Sequence, residues 1–127
     1  MNPPVPAVLM QLAAIVGRNA MPGVPEPERA SDLGLTAMLL ALAAEVWDTA
    51  AHRLVEENRS LRVLLDDSGE DQDLRVSVLQ KENERLRAKL IEAHVAAEKA
   101  GDTRREQAIW AELRASTERR KLSVSIV

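Results

Sequence analysis

The segment that decides the fold reads LRVLLDDSGEDQDLRVSVL and spans residues 61–79. In its middle, residues 66–73 hold five acids and one glycine and have no apolar side chain that could enter a core. Apolar residues resume on both sides at helical spacing. We therefore predict a turn at residues 66–73, with a helix before it and a helix after it.

Two long apolar stripes flank this turn, at the alternating spacings of three and four residues that coiled-coil seams use. The first stripe consists of Leu33, Ala37, Leu40, Ala44, Trp47, Ala51, Leu54, Asn58, Leu61 and Leu65. The second consists of Val76, Leu79, Asn83, Leu86, Leu90, Ala93, Ala97 and Ala100.

Heptad phase decides whether the stripes belong to one helix. Continuing the first phase puts Arg75, Glu82 and Lys89 at core positions, whereas restarting it after the acidic run puts leucines there. The phase break predicts that the chain reverses direction. The expected fold is all-α: an antiparallel, coiled-coil-like helical hairpin whose arms cover each other over about 20 residues, with a shorter helix at each end.

The two arms contain an internal echo. Glu57-Asn58-Arg59-Ser60-Leu61-Arg62 precedes Leu65, and Glu82-Asn83-Glu84-Arg85-Leu86-Arg87 precedes Leu90. Both copies put an asparagine in the seam, where an amide costs stability but fixes register and partner number. We expect Asn58 and Asn83 to hydrogen bond across the seam; chance similarity between two leucine-rich helices is the alternative. The predicted interaction and register residues are Trp47, Leu54, Asn58, Leu61, Leu65, Leu79, Asn83, Leu86 and Leu90.

Prolines and glycines divide the rest of the chain. Residues 1–30 are predicted to form a short helix, from about Ala7 to Val16, and a proline-rich strap. Residues 31–122 contain the hairpin, with Ser31 as its first cap and Gly101 as its last. Residues 123–127 form a tail, which is either a frayed end or a short edge strand.

The last helix is predicted to open at Asp102 or Thr103. Thr103 and Glu106 have the spacing of a capping box. Its narrow apolar face is expected to pack near Ile91 and Val95, and one register of the hairpin brings His94 close to Trp47.

Composition excludes several classes of protein. The chain has 127 residues, 46% of them hydrophobic and 29% charged, which is typical of a folded domain. It has no cysteine, so disulfides and thiolate metal sites are excluded. The apolar stretch at residues 33–47 is interrupted by Thr36 and Glu45, so we expect neither a membrane span nor a membrane partner. A soluble, cytoplasmic protein is predicted, and the Arg- and Ala-rich composition is typical of GC-rich bacteria.

Glu45, Asp48, His52 and Glu56 project from one helical face at offsets of three and four. This pattern resembles part of a carboxylate-bridged metal site, but di-iron bundles need matching Glu-x-x-His pairs on further helices. We expect a solvated face, with no metal and no cofactor. The acidic run lacks the residue order of a calcium-binding loop, so Asp71 and Asp73 are attributed to capping and the helix dipole.

The C-terminal helix is the one basic region, with Arg104, Arg105, Arg114, Arg119, Arg120 and Lys121. Positive charge near a helix C-terminus is expected on electrostatic grounds, so nucleic-acid binding is not the favoured interpretation.

No catalytic constellation is present, and the sequence does not predict an enzyme. The prediction is an interaction or scaffold protein that forms a homodimer or another homo-oligomer, because Val63, Leu64, Val78, Ile91 and Val95 add apolar surface beyond the two seams. The alternatives are a metal- or ligand-binding bundle built on Glu45, Asp48 and His52, and a regulator that binds nucleic acid through the basic helix.

Overall fold

The computed structural model describes residues 4–123, which form four α-helices and no strand. The helices are α1 (Val5–Ile15), α2 (Pro27–Leu65), α3 (Val76–Ala100) and α4 (Thr103–Arg119). A π-helical turn at Val16–Ala20 and a short 3-10 turn at Met21–Gly23 connect α1 to α2. The all-α prediction is confirmed. The predicted tail falls mostly on residues 124–127, which lie outside the described residues.

The start of α2 and the capping of α4 differ from the prediction, whereas α4 itself begins where it was predicted to, with Asp102 as N-cap and Thr103 as first helical residue. Helix α2 begins at Pro27 and not at the predicted cap Ser31, because the fixed φ and the missing N–H of proline suit the first helical position. Helix α4 is capped by Asp102, whose carboxylate accepts from the Arg105 N–H at 3.0 Å. The predicted capping box of Thr103 and Glu106 is therefore wrong.

The chain divides into two compact units, Met1–Thr49 with Leu122–Val127, and Ala50–Lys121. In the first unit, α1 lies along the N-terminal half of α2, with Ala7 and Met10 beside Leu42 and Ala44. Among residues 4–49, Leu42 and Ala44 are the buried hydrophobic residues.

The N-terminal half of α2 is also apolar enough to be compared with a membrane span. By length and composition alone, α2 contains an 18-residue window of mean hydropathy 1.4 that could cross a bilayer, and 11% of that window is buried. The two interruptions at Thr36 and Glu45 do not prevent this, contrary to the expectation from the sequence.

The second unit has a core made by three helices. Leu61 of α2, Leu86 and Leu90 of α3, and Ile109 of α4 are all buried in one cluster. Part-buried apolar residues surround it: Leu64, Leu65, Ala93 and Leu113.

Helices α3 and α4 are antiparallel. They are joined by two residues, and Gly101 adopts a left-handed backbone with φ of 65°, as expected of the predicted cap. Further along the pair, the rings of His94 and Trp110 meet edge to face at 5.5 Å. Helices α3 and α4 therefore form a tight helical hairpin in the second unit.

Helix α4 is also antiparallel to α2. Near the end of α4, the backbone carbonyl of Lys121 accepts from Arg53, 3.4 Å away. Near its start, Arg105 lies 3.9 Å from Asp66, which follows the end of α2. The chain therefore runs along α4 in the opposite direction to α2.

Since α4 opposes both of its neighbours, α2 and α3 run parallel, and the predicted antiparallel hairpin at residues 66–73 is wrong. Residues 66–75 are instead a crossover strap that runs back along α2, where Asp71 accepts from Asn58 and Arg62. Ten residues reach up to about 33 Å, which is enough for α3 to start again beside the middle of α2.

Candidate functional site

The two echo motifs lie side by side between parallel helices. The Asn83 amide donates to the Asn58 side-chain oxygen at 3.0 Å, and Leu61 and Leu86 meet in the core immediately below. The expected hydrogen bond between the two amides is present, although the helices run in the opposite relative direction from the prediction. Asn58 also donates to the Leu79 carbonyl at 3.2 Å.

Reciprocal ion pairs flank the two asparagines. Arg87 donates to Glu57 at 2.5 Å, and Arg62 donates to Glu82 at 3.0 Å. Each glutamate immediately precedes its asparagine, and each arginine follows the other asparagine by four residues. These are the g and e positions that face each other between parallel helices in a heptad pattern. The echo therefore supplies both ion pairs at once.

Helix α4 closes one side of this polar layer. The Ser116 hydroxyl donates to Glu57 at 3.1 Å, and Arg120 donates to both carboxylate oxygens, at 2.7 and 3.2 Å. Glu57 is only 3% exposed. We call this set, Glu57, Asn58, Arg62, Glu82, Asn83, Arg87, Ser116 and Arg120, the polar layer.

The sequence analysis identified the two asparagines of the polar layer but missed the role of Glu57, Ser116 and Arg120. One signal was present for Ser116. It follows Ile109 by seven residues and Leu113 by three, and so continues the apolar face of α4 that the other two residues define.

Electrostatics fix the charge of Glu57. Burial by itself raises the pKa of the Glu57 carboxyl, but hydrogen bonds from Arg120, Arg87 and Asn83 outweigh it and hold the pKa at about 2. A carboxylate with so low a pKa is a poor general base near neutral pH. The Ser116 hydroxyl donates to this carboxylate, as the two arginines do, so charged hydrogen bonds hold the layer together.

The strap is attached to α2 and α3 through its acids. The side chains of Arg62 and Asp71 are 8% and 7% exposed and pair at 2.8 Å, which raises the pKa of Arg62. Asp67 accepts from Lys89 at 2.9 Å and from Arg85 at 3.2 Å, and the Lys89 bond lowers the pKa of Asp67.

The capping role predicted for two acids of the strap is wrong, because the N-cap of α3 is Arg75 and no side chain caps this helix. Asp73 accepts from the backbone N–H of Arg75, the residue before α3, at 3.0 Å. Asp71 is an anchor of the strap and not a helix cap.

A cavity of about 330 Å³ separates the strap from α2, between Arg59 and Arg62 on one side and Glu70 and Asp71 on the other. The Nε of Arg62 is buried and has no acceptor among the described residues. Because the lining carries two cations and two anions, it has no net charge that would select an ion.

The predicted interaction residues divide by exposure. The four predicted residues on α3, from Leu79 to Leu90, are buried. On α2, Asn58 and Leu61 are buried, whereas Leu54 and Leu65 are part-buried. Trp47 is 63% exposed and does not enter a core. His94 contacts the ring of Trp110, and its predicted proximity to Trp47 stays a prediction.

The predicted packing of α4 is also corrected. Ile109 lies in the core between α2 and α3, where it packs against the buried side chains of Leu61 and Leu90. Ile91, which α4 was expected to cover, is 67% exposed, and Val95 is 43% exposed.

The side chains of the acidic face around His52 do not point towards a common site. His52 lies 3.5 Å from Glu56, and the side chains are 74% and 48% exposed. Glu45 accepts from the backbone and the hydroxyl of Ser123, and Asp48 is exposed. Within residues 4–123, no group of three or more His, Asp or Glu side chains is arranged to hold a metal ion.

The basic residues of the C-terminal helix are largely paired within the chain. Arg120 contacts Glu57, Arg119 contacts Glu112, and Arg105 contacts Asp66. The adjoining Lys121 pairs with Glu118 at 2.7 Å. Four of the six cations that could have faced a phosphate backbone are thus involved in internal ion pairs.

Comparison with known proteins adds no relative to this description: no family model, no curated protein and no solved structure matches the chain.

Proposed function

We propose that the chain is a small interaction protein that acts by self-association through residues 4–49. The proposal rests on one observation: this segment buries too few of its hydrophobic residues to form a core of its own. It buries Leu42 and Ala44, while ten large hydrophobic residues are at least 37% exposed. These are Val5, Val8, Met10, Leu12, Ile15, Met21, Leu35, Leu39, Val46 and Trp47. Exposed apolar surface of this extent is typical of an interface.

Helix α1 presents an ordered seam to solvent. Val5, Val8, Leu12 and Ile15 are spaced by three, four and three residues, and they are 39–44% exposed. No residue of α1 is buried. The spacing is that of a helix that packs against another helix.

The N-terminal half of α2 presents a second seam. Leu35, Leu39 and Val46 are 49%, 52% and 40% exposed. With the buried Leu42 they follow spacings of four, three and four, on the opposite side of α2 from the predicted stripe. A helix that is apolar on both sides needs partners on both sides.

A second copy of the chain is the partner that fits. Two seams on each of two copies make a four-helix core that covers α1 as well as the apolar window of α2. A bilayer that took up α2 would leave α1, at about 16 Å, too short to span it. Residues 4–49 carry five acids and two arginines, which disfavours an anionic membrane surface. A homodimer in the bacterial cytoplasm is therefore proposed, with coiled-coil-type packing of the seams.

Light scattering on the purified chain and on Leu39→Glu tests this proposal. A charge in the middle of the α2 seam is expected to reduce the association state at tens of micromolar, because an unpaired carboxylate is costly to bury. Leu74→Glu is the matched control, since Leu74 is 61% exposed and precedes α3, outside both seams. It is expected to leave the association state unchanged.

Two results would contradict the proposal. The first is a wild-type chain that is monomeric at these concentrations. The second is co-sedimentation of the wild-type chain with neutral lipid vesicles that Leu39→Glu abolishes, because a bilayer would then be what covers the seam.

A further inference from the structure

A groove of about 750 Å³ lies between α1 and the N-terminal half of α2, within the first unit. The α1 wall has Ala7 and Met10, and the α2 wall has Ala41 and Ala44. Ser123, the last residue that the structure describes, also lines the groove. Met10 is 51% exposed although it lies in the groove, so its side chain is open to an apolar partner.

The groove is on the other side of α1 from the seam that the proposed function uses. Leu12 belongs to that seam and Met10 to the groove. Two residues turn an α-helix by about 200°, so these two side chains point in nearly opposite directions. Self-association through the seam therefore leaves Met10 and the groove uncovered.

Ser123 is anchored to the wall of the groove. Its backbone N–H donates to the two carboxylate oxygens of Glu45, at 2.9 and 3.1 Å, and its hydroxyl donates to one of them at 2.6 Å. Two residues earlier, the carbonyl of Lys121 accepts from Arg53. The chain therefore passes along α2 from the level of Arg53 to that of Glu45, in the direction of Ala41. The residue that follows Ser123 starts at the groove.

Residues 124–127 read VSIV, and their chemistry suits the groove. Three of the four side chains are apolar and none is charged. Valine and isoleucine are β-branched, which favours an extended backbone. In an extended segment alternate side chains point to opposite sides. Since the Ser123 hydroxyl faces α2, this alternation directs Val124 and Ile126 towards the apolar wall on α1.

The length of this segment also matches the groove. Along α2 the groove extends from Asp48 to Ala41, which is about 10 Å. Four extended residues reach up to about 14 Å, enough to pass Ala41 and Met10. A segment tethered beside the groove has a high effective concentration there, which a separate molecule lacks. The chain's own residues are therefore the favoured occupant over those of a second copy.

We infer that the groove between α1 and α2 is the docking site of the chain's own residues 124–127, with Val124 and Ile126 packed against α1. The inference goes beyond the proposed function, because both seams stay free. The docked segment covers Met10 and adds apolar contacts between two helices that bury few residues of their own. It thus stabilises α1 on α2.

Disulfide formation within one chain tests the docking, because the natural chain has no cysteine. The test chain carries Met10→Cys and Ile126→Cys, and the matched control carries Leu12→Cys and Ile126→Cys. Met10 and Leu12 are 51% and 43% exposed, so both positions tolerate substitution, which far-UV circular dichroism checks.

Under mild oxidation, the test chain is expected to form its intrachain disulfide about tenfold faster than the control, because docking holds position 126 beside position 10. A disulfide needs Cα atoms within about 7 Å and Cβ atoms that point towards each other, and position 12 points away from the groove. Electrophoresis without reductant separates intrachain links from links between two chains.

The anchor is tested in the same test chain. Adding Glu45→Ala removes the acceptor of all three Ser123 hydrogen bonds and is expected to slow the intrachain link by about threefold or more. Asp48→Ala is the matched control, since Asp48 is another acid that lines the groove. It is expected to leave the rate unchanged.

Three results would overturn the docking: equal rates for the test and control chains, an unchanged rate after Glu45→Ala, or links that form mainly between two chains. In the last case the segment of another copy occupies the groove. The intrachain link does not require association. A wild-type chain that is monomeric therefore removes the proposed function and leaves this inference intact.

Discussion

At the scale of single residues, Glu57 connects the three helices of the second unit. It is the residue at which α2, α3 and α4 all exchange hydrogen bonds, and it is almost fully buried. A buried carboxylate is tolerated when its lone pairs are satisfied, and Glu57 has acceptor bonds on both oxygens.

We expect Glu57→Gln to destabilise the chain by about 2–3 kcal/mol. This is below the 3–5 kcal/mol for breaking a fully buried pair, because Arg87 and Arg120 are partly solvated and keep other contacts. Urea unfolding measures the difference. Glu56→Gln is the control on the adjacent, exposed position and is expected to change stability by less than about 0.5 kcal/mol. Equal effects of both substitutions would remove the special role of Glu57.

The pKa of Glu57 also predicts a pH dependence. Its folded value is lowered from 4.5 to about 2, so its contribution to stability is fully present above pH 4.5 and is lost as the pH falls towards 2. Glu57→Gln lacks this group, so its unfolding free energy is expected to fall less steeply across that interval. Parallel pH profiles of the two proteins would show that Glu57 is not ionised in the way proposed.

At the scale of elements, the orientation of α2 and α3 was the main error of the sequence analysis. The acidic run was correctly predicted to be non-helical, but a break between two helices does not define their direction. The charges of the echo did contain that information. In an antiparallel pair, g positions face g positions, which would set Glu57 against Glu82 and Arg62 against Arg87. The parallel pair replaces both repulsions with ion pairs.

The length of the strap provides a test of this orientation. Asn58 contacts the carbonyl of Leu79, so α3 starts near the level of residue 55, about 15 Å back along α2 from its end. Replacing residues 66–75 with a four-residue turn leaves a reach of about 14 Å, which is too short once the distance between helices is added. The shortened chain is expected to lose cooperative thermal unfolding. A substitution of the same ten residues by a flexible ten-residue linker is the control, and it is expected to keep the transition at reduced stability.

At the scale of the whole molecule, the two compact units differ in how they are stabilised. Residues 50–121 have a buried core and a satisfied polar layer, whereas residues 4–49 bury little apolar surface of their own. A segment with few buried contacts opens easily unless a partner covers it.

Hydrogen exchange at several protein concentrations tests this difference. Amides of α1 are expected to become more protected as concentration rises, because association covers the exposed seam. Amides near Leu86 and Leu90 in α3 are expected to exchange slowly at every concentration. Protection of α1 that does not depend on concentration would show that self-association is not what stabilises it.

The sequence by itself determined the all-α class, the break at the acidic run, the α3 cap at Gly101 and the pairing of Asn58 with Asn83. The first three follow from local backbone preferences and apolar spacing, which act within a few residues. The pairing follows from the equivalent positions of the two asparagines in the heptad pattern. Only the tertiary structure decided the buried position of Glu57 and the exposure of Trp47, and it revealed the direction of α3, which the charges of the echo encode but the apolar pattern does not. Each of these depends on which helix lies beside which, and that is set by contacts between residues far apart in the chain.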